Sequence, residues 1–434
     1  MSASGFSPEH PESVFTYASP ALKFGSGARH ELAHELGARG CRRVLFVTDA
    51  GVRATGEVDA LAEQAAAAGI GVVVFDGTRV EPTDTSLSEA VAFARAEGPF
   101  DAVAAVGGGS SIDTAKAVNL LLTNDGELMD YVNAPVGQGR APANALLPLI
   151  ALPTTTGTGS ESTAICVLDV TALRVKTGIS HARLRPTLAI VDPELTVSQP
   201  AGVTAASGMD VLCHALESYT ARPYTSYERK RPSDRVPYCG SNPIADAWSE
   251  RAMGLLAGAF RQAVRQGDDR AAREQMALAA TFAGLGFGNA GVHIPHANAY
   301  PIAGMVGPFA PDGYPADPHA DHGLVPHGMA VSLTAPAAFR FTFEASPERH
   351  VKAARLLDPD AVGDDPRELL PGVVSRLMRD VGVPSGLAEL GFGAADVDDL
   401  VEGSLRQQRL LATAPREVRA EDLATILTQS VELW

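Results

Sequence analysis

The chain has 434 residues, 45% of them hydrophobic and 20% charged, a length and balance that predict a globular protein of two domains. Its formal net charge of −16 argues against nucleic acid as a partner, because phosphate binding needs a basic face. No stretch approaches the roughly 18 uninterrupted apolar residues of a membrane span, and Cys41, Cys166, Cys213 and Cys239 form no CxxC pair, which suggests reduced thiols in a cytoplasmic protein.

The opening "MSASGFSPEHPESVFTY" has neither the apolar run nor the basic flank of a signal or transit peptide. Beyond it the pattern alternates. "RVLFVTD" suits a buried strand and "VDALAEQAAAAG" a helix closed by glycine; "GVVVFDG" and "LSEAVAFARAEG" repeat the unit. "FDAVAAVGGG" is a third strand opening into the helix "SSIDTAKAVNLLL", and "LLPLIALPTTTGTGSE" and "PTLAIVDPEL" supply further strands. Strands alternating with helices predict an α/β domain with a parallel, Rossmann-like sheet covered on both faces.

Three features sit where such a sheet gathers ligands, at the carboxyl ends of its strands. Gly107, Gly108 and Gly109 lie between a strand and a helix start. They are either a tight βα turn capped by Ser110 or Ser111, or a cradle for pyrophosphate at the helix N-terminus. Thr154, Thr155 and Thr158 form a second, hydroxyl-rich loop able to donate hydrogen bonds to phosphates. Asp49 ends the first strand, where a carboxylate accepts ribose hydroxyls and repels a 2′-phosphate, favouring NAD over NADP.

After about Pro200 the periodicity becomes helical and no comparable strand pattern returns. The expected division is therefore an α/β domain over residues 1–198 and an all-helical domain over 199–434. Two Pro- and Gly-rich segments, "RPYTSYERKRPSDRVPYCGSNP" and "GMVGPFAPDGYPADPHADHG", interrupt the helices as functional covers or partner contacts.

Within "SGMDVLCHALESY", Asp210 and His214 are one helical turn apart and share a face. The pair is either a solvated contact or half of a metal site. Downstream, His293, His296, His319, His322 and His327 fall within one short window of the chain. Imidazoles with one carboxylate suit Fe(II) or Zn(II) with an open position for substrate, although spacing does not say which histidines bind.

Together, "GGGSSIDTAKA", "PTTTGTGSE", "GMDVLCHALESY" and "LVPHGMAV" resemble the iron-containing (group III) alcohol dehydrogenase family, over nearly the whole chain. "VEPTDTSLSEA", "VKTGIS", "GSNPIADAW" and "GFGNAGVHIPHANAYPIAG" resemble its hydroxyacid–oxoacid transhydrogenase branch. The resemblance implies metal ligands at Asp210, His214, His296 and His327, with Fe2+ as the metal and Zn2+ as the alternative. It implies NAD(H) held by Asp49, Gly107, Gly108, Gly109, Ser110, Thr154, Thr155, Thr158 and Lys176. His319 and His322 are then loop residues, and His293 a candidate pocket residue.

Tyr300 stands where many members have a second histidine that relays a proton, a replacement that the transhydrogenase branch shares. The implied activity is hydride transfer between a hydroxy acid such as 4-hydroxybutyrate and an oxo acid such as 2-oxoglutarate through bound NAD. An ordinary NAD(P)-dependent alcohol dehydrogenase or aldehyde reductase is the alternative. Anionic substrates require a local cation, for which Arg340 and the arginines of the Pro-rich loop are candidates. A homodimer or higher homo-oligomer is expected.

Overall fold

The computed structural model describes residues 11–173, 175–314 and 323–434. The alternating half builds six strands: β1 (Ala21–Phe24), β2 (Arg43–Val47), β3 (Gly71–Phe75), β4 (Ala102–Gly107), β5 (Leu149–Pro153) and β8 (Leu188–Val191). All their pairings are parallel, in the order β1-β8-β5-β4-β2-β3. In β2, Val44 and Phe46 pack on one face with Leu32, Leu61 and Ile150, while Leu45 and Val47 pack on the other with Leu87, Ile112 and Ala151. Burial on both faces is why the strand reads as one unbroken apolar run.

Helices α1 (Leu32–Ala38) and α2 (Glu57–Ala67) cover the first face, α3 (Asp84–Glu97) and α4 (Gly109–Thr123) the second. Because β4 lies beside β2 on the side away from β3, the winding reverses between β2 and β4, and a crevice opens at their carboxyl ends. β6 (Ile165–Val170) and β7 (Val175–Ser180) form a separate antiparallel hairpin. Neither that hairpin nor edge strand β1 was expected from the sequence. β1 has four residues and only two large apolar ones in "ALKF", and Lys176, Thr177 and Gly178 interrupt the apolar pattern of β7.

From Ala201 onward the named elements are helices: α5 (Ala201–Thr220), α6 (Pro243–Arg265), α7 (Arg270–Ala290), α8 (Ile294–Met305) and α9 (His327–Thr342), followed by shorter ones to Gln429. α5 is apolar almost all round, and α6, α7 and α9 enclose it. No single described helix is long and apolar enough to cross a membrane. One bent pair, α7 with α8, passes on composition alone, and its residues are largely core.

Candidate metal centre and cofactor cleft

Asp210 and His214 project from the middle of α5, with Glu217 a turn beyond, and all three are buried. Gly291, at φ 96°, ends α7, and the chain turns by 102° into α8, whose first turn carries His296. His327 opens α9 directly after Pro326. The next residue sets the approach of α9 to α5: a Cβ at Gly328 would overlap the Ala206 carbonyl oxygen and lie 2.6 Å from Asp210 Cβ. Glycine is required there because two helix backbones nearly touch, which brings His327 to Asp210.

Asp210, His296 and His327 each offer one ligand atom, all within 4.8 Å of one another. Asp210 Oδ1 lies 3.6 Å from His296 Nε2 and 3.6 Å from His214 Nε2. His214 falls outside the compact trio; its ring stacks on Phe287 at 3.8 Å between centroids and on His296 at 4.7 Å. Asp210 Oδ1 and His296 Nε2 are buried without a hydrogen-bond partner. Such atoms are costly unless something else satisfies them. A cation held by three imidazoles and a carboxylate would do so, and the donor set fits Fe(II) or Zn(II).

The electrostatics agree. Burial disfavours the ionised carboxyl of Asp210, yet His214, His296 and His327 outweigh it and hold its pKa below the carboxylate range. Burial likewise opposes a proton on His296, but Glu217 and Asp210 prevail and raise its pKa to about 9. The same two negative charges would favour a metal ion at Nε2. Burial lowers the pKa of His214 to about 3 despite Asp210, and lowers that of His327, which favours the neutral form that a ligating imidazole takes.

Next to this cluster lies a cleft of about 750 Å³. Gly107 pairs with Pro153 across β4 and β5, so the loops that follow, carrying Gly108–Ser111 and Thr154–Thr158, run side by side. Asp49, Gly108, Gly109, Ser110, Thr154, Thr155 and Thr158 line the cleft, and Asp210 and His327 close its far end. Gly107 does not line it; a Cβ there would lie 2.5 Å from that of Ser111, so this glycine serves the turn. Asp49 also caps a short helix, its Oδ1 accepting from Val52 N at 2.9 Å.

A smaller cavity of about 130 Å³ adjoins the metal ligands. Its walls include His214, His296, Tyr300, Tyr238 and Arg409, and it shares Glu81, Gly109, Ser110, Thr158, Asp210 and His327 with the cleft. Tyr300 is buried, with its ring 6.2 Å from that of His327. Glu81, at the junction, is the one described non-glycine residue with positive φ, 54°. Such backbone strain gathers at functional sites.

Several expectations need correction. Lys176 lines neither cavity: it is buried between Glu81 (2.6 Å) and Asp169 (2.8 Å), where their negative charges overcome desolvation and raise its pKa, so it reaches the cleft only through Glu81. His293 is a core residue, not a pocket residue. Its Nε2 lies 3.0 Å from Thr220 Oγ1, its backbone N–H donates to Glu217 Oε2, and burial drives its pKa down to about 4. Arg340 is tied to Glu368 on the surface, Arg235 to Glu12 and Arg222 to Ser226, and no arginine of the Pro-rich loop lines the small cavity. His319 and His322 lie outside the described residues.

Sequence reasoning missed Glu217, Glu81 and Arg409. Glu81 stands in the quoted stretch "VEPTDTSLSEA" and Glu217 in "SGMDVLCHALESY", one helical turn past His214, signals that could have found both; Arg409 reaches the site only through folding.

The family model described as iron-containing alcohol dehydrogenase matches residues 19–193, and that of the same family's C-terminal region matches 238–308 and 321–431. The chain belongs to the iron-containing alcohol dehydrogenase family. Within it, a Bos taurus relative named "Hydroxyacid-oxoacid transhydrogenase, mitochondrial" is 43% identical across 100% of this chain and 93% of its own length. A crystal structure of 1,3-propanediol oxidoreductase is 32% identical with a TM-score of 0.82, covering 96% of this chain and 100% of that one. Sulfoacetaldehyde reductase from Bifidobacterium kashiwanohense, solved in complex with NAD+, is 28% identical with a TM-score of 0.78, covering 96% and 99%.

The curated relatives' names overturn the cytoplasmic expectation, because they are mitochondrial proteins. Reduced thiols fit any reducing compartment, so four free cysteines could not have distinguished one from another.

Proposed function

We propose that this member of the iron-containing alcohol dehydrogenase family is a hydroxyacid–oxoacid transhydrogenase, moving hydride from a hydroxy acid such as 4-hydroxybutyrate to an oxo acid such as 2-oxoglutarate through bound NAD. One observation carries the reading: the nucleotide cleft and the small cavity meet at Asp210 and His327. Identity of 42–44% with named transhydrogenases over the full chain supports the branch.

Asp210, His214, His296 and His327 would hold the metal, iron by family and zinc as the alternative occupant. The metal would supply Lewis acidity toward the reacting oxygen, and NAD the hydride-carrying chemistry. Gly108, Gly109, Ser110 and the threonine loop would bind the pyrophosphate and Asp49 the ribose. Glu217 orients His296 through Nδ1. Tyr300, whose pKa burial raises, keeps its phenolic proton and presents a donor in the cavity. The enclosed walls exclude water from the reacting carbon.

Residues 1–198 would serve the nucleotide and 199–434 the metal and substrate. We take the partners to be small molecules, with neither nucleic acid nor membrane, and the assembly to be a homodimer or higher homo-oligomer.

The test is to purify the protein, analyse its metal and record the spectrum of bound NAD(H). Turnover of 4-hydroxybutyrate with 2-oxoglutarate is then measured without added cofactor. Transfer that is lost to a chelator and restored by Fe(II) is expected. Turnover that requires added NAD and ignores the oxo acid would mark an ordinary dehydrogenase instead.

A further inference from the structure

We infer that Arg409 receives the substrate carboxylate and thereby selects acids with two methylenes between that carboxylate and the reacting carbon, an assignment that rests on the transhydrogenase reading above. Arg409 lies on the short helix Gln408–Leu411, and its neighbours Leu410 and Thr413 line the same cavity. Thr413 Oγ1 donates to the Val292 carbonyl and Gln407 Nε2 to the Lys176 carbonyl at 3.4 Å, so the segment is anchored on both sides.

The guanidinium has neutral partners. Nη1 donates to Ser180 Oγ at 3.1 Å, and Cζ lies 5.6 Å from the Tyr238 ring centre. Among the described residues, no carboxylate pairs with it. The other charges on the cavity wall are matched: Glu81 by Lys176, Asp113 by Lys116 at 3.1 Å, and Asp210 by the histidines around it. Arg409 is thus the cation left over in a chain of net charge −16. Its charge reaches inward, lowering the otherwise raised pKa values of half-buried Tyr238 and buried Tyr300. A planar guanidinium with donors to spare matches a carboxylate in two parallel hydrogen bonds.

The chemistry of the two acids fits one anchor. In 4-hydroxybutyrate two methylenes separate the carboxylate from the hydroxyl-bearing carbon. In 2-oxoglutarate two methylenes separate the distal carboxylate from the oxo carbon. A carboxylate fixed at Arg409 would therefore put either reacting carbon at the same place, as a shared site for alternating acids requires. The cavity of about 130 Å³ limits the occupant to a small acid.

The test compares wild type with Arg409→Met and Arg409→Lys, using 3-hydroxypropionate, 4-hydroxybutyrate, 5-hydroxypentanoate and neutral 1-butanol. Wild type should prefer the four-carbon acid. Arg409→Met should lose about 100-fold in kcat/KM for that acid, chiefly through KM, with flattened chain-length preference and 1-butanol oxidation within twofold of wild type. Arg409→Lys should recover part of the loss because it keeps the charge. If 1-butanol is not oxidised, the inhibition constant of butyrate should rise in Arg409→Met by a similar factor. Should Arg409→Met not fold, a roughly tenfold KM increase for 4-hydroxybutyrate in Arg409→Lys is the expected result. An unchanged acid KM in a folded variant, beside an active wild type, overturns the assignment alone. A wild type that transfers no hydride between the two acids overturns the transhydrogenase reading itself.

Discussion

Glu217 Oε1 lies 2.5 Å from His296 Nδ1, and the other nitrogen of that ring lies 3.6 Å from Asp210 Oδ1. The imidazole is therefore suspended between two buried carboxylates, one fixing its tautomer and orientation and the other sharing the proposed ion. A carboxylate behind a ligating histidine also raises its basicity. Glu217→Gln keeps the shape and removes the charge, so metal affinity should fall about 10–100-fold. Competition with a chelator measures this directly, and kcat at saturating Fe(II) should fall much less than occupancy at limiting metal.

Gly328 offers a test from the backbone side. Its missing Cβ is what allows α9 to touch α5 at Ala206 and Asp210. Gly328→Ala should push His327 away from Asp210 and destabilise the protein by about 1–3 kcal/mol, as overpacking does. Denaturant titration reads the second effect and metal content the first. A folded, metal-replete variant of unchanged stability would mean that the helices yield more easily than the contact implies.

What was legible in the sequence follows from the range of each signal. Strands β2 and β4 could be read because both their faces are buried, and the Asp210–His214 pair because a helix turn is a local fact. The glycine and threonine loops were readable as loops, while their alignment depends on the pairing of Gly107 with Pro153. Glu217 looked like an ordinary helix position until α8 folded back onto α5. Arg409 is distant in sequence from every histidine it faces across the cavity. Lys176 showed the opposite failure: a motif match suggested a ligand contact, and the fold supplied two carboxylates to occupy it.

Asp49 should decide between the two nicotinamide nucleotides. Its carboxylate lines the cleft while Oδ1 caps Val52, so Asp49→Asn removes the charge and keeps an acceptor for the cap. Relief of like-charge repulsion should improve NADPH binding roughly tenfold or more relative to NADH. Fluorescence titration with each reduced nucleotide gives the ratio. No change in it would place the 2′-hydroxyl elsewhere.

Away from the site, His350 should govern part of the acid stability. It is 1% exposed, with Nε2 2.9 Å from Thr342 Oγ1 and Nδ1 2.9 Å from the Ser346 carbonyl oxygen. Burial disfavours its charged form, the Ser346 contact opposes that, and Arg349 adds repulsion, so the pKa falls from 6.5 to about 4. Between those values the unfolded chain binds the extra proton and the folded chain does not. The stabilisation is therefore complete above pH 6.5 and disappears as the pH falls toward 4, a loss on the order of 3 kcal/mol. His293 contributes in the same direction, with its pKa also near 4, so the measurement is a difference. Urea unfolding of wild type and His350→Gln at steps from pH 7.5 to 4 should show a stability gap that is largest at pH 7.5 and narrows through this window. A gap independent of pH would mean that His350 is protonated in the folded protein as readily as in the unfolded chain.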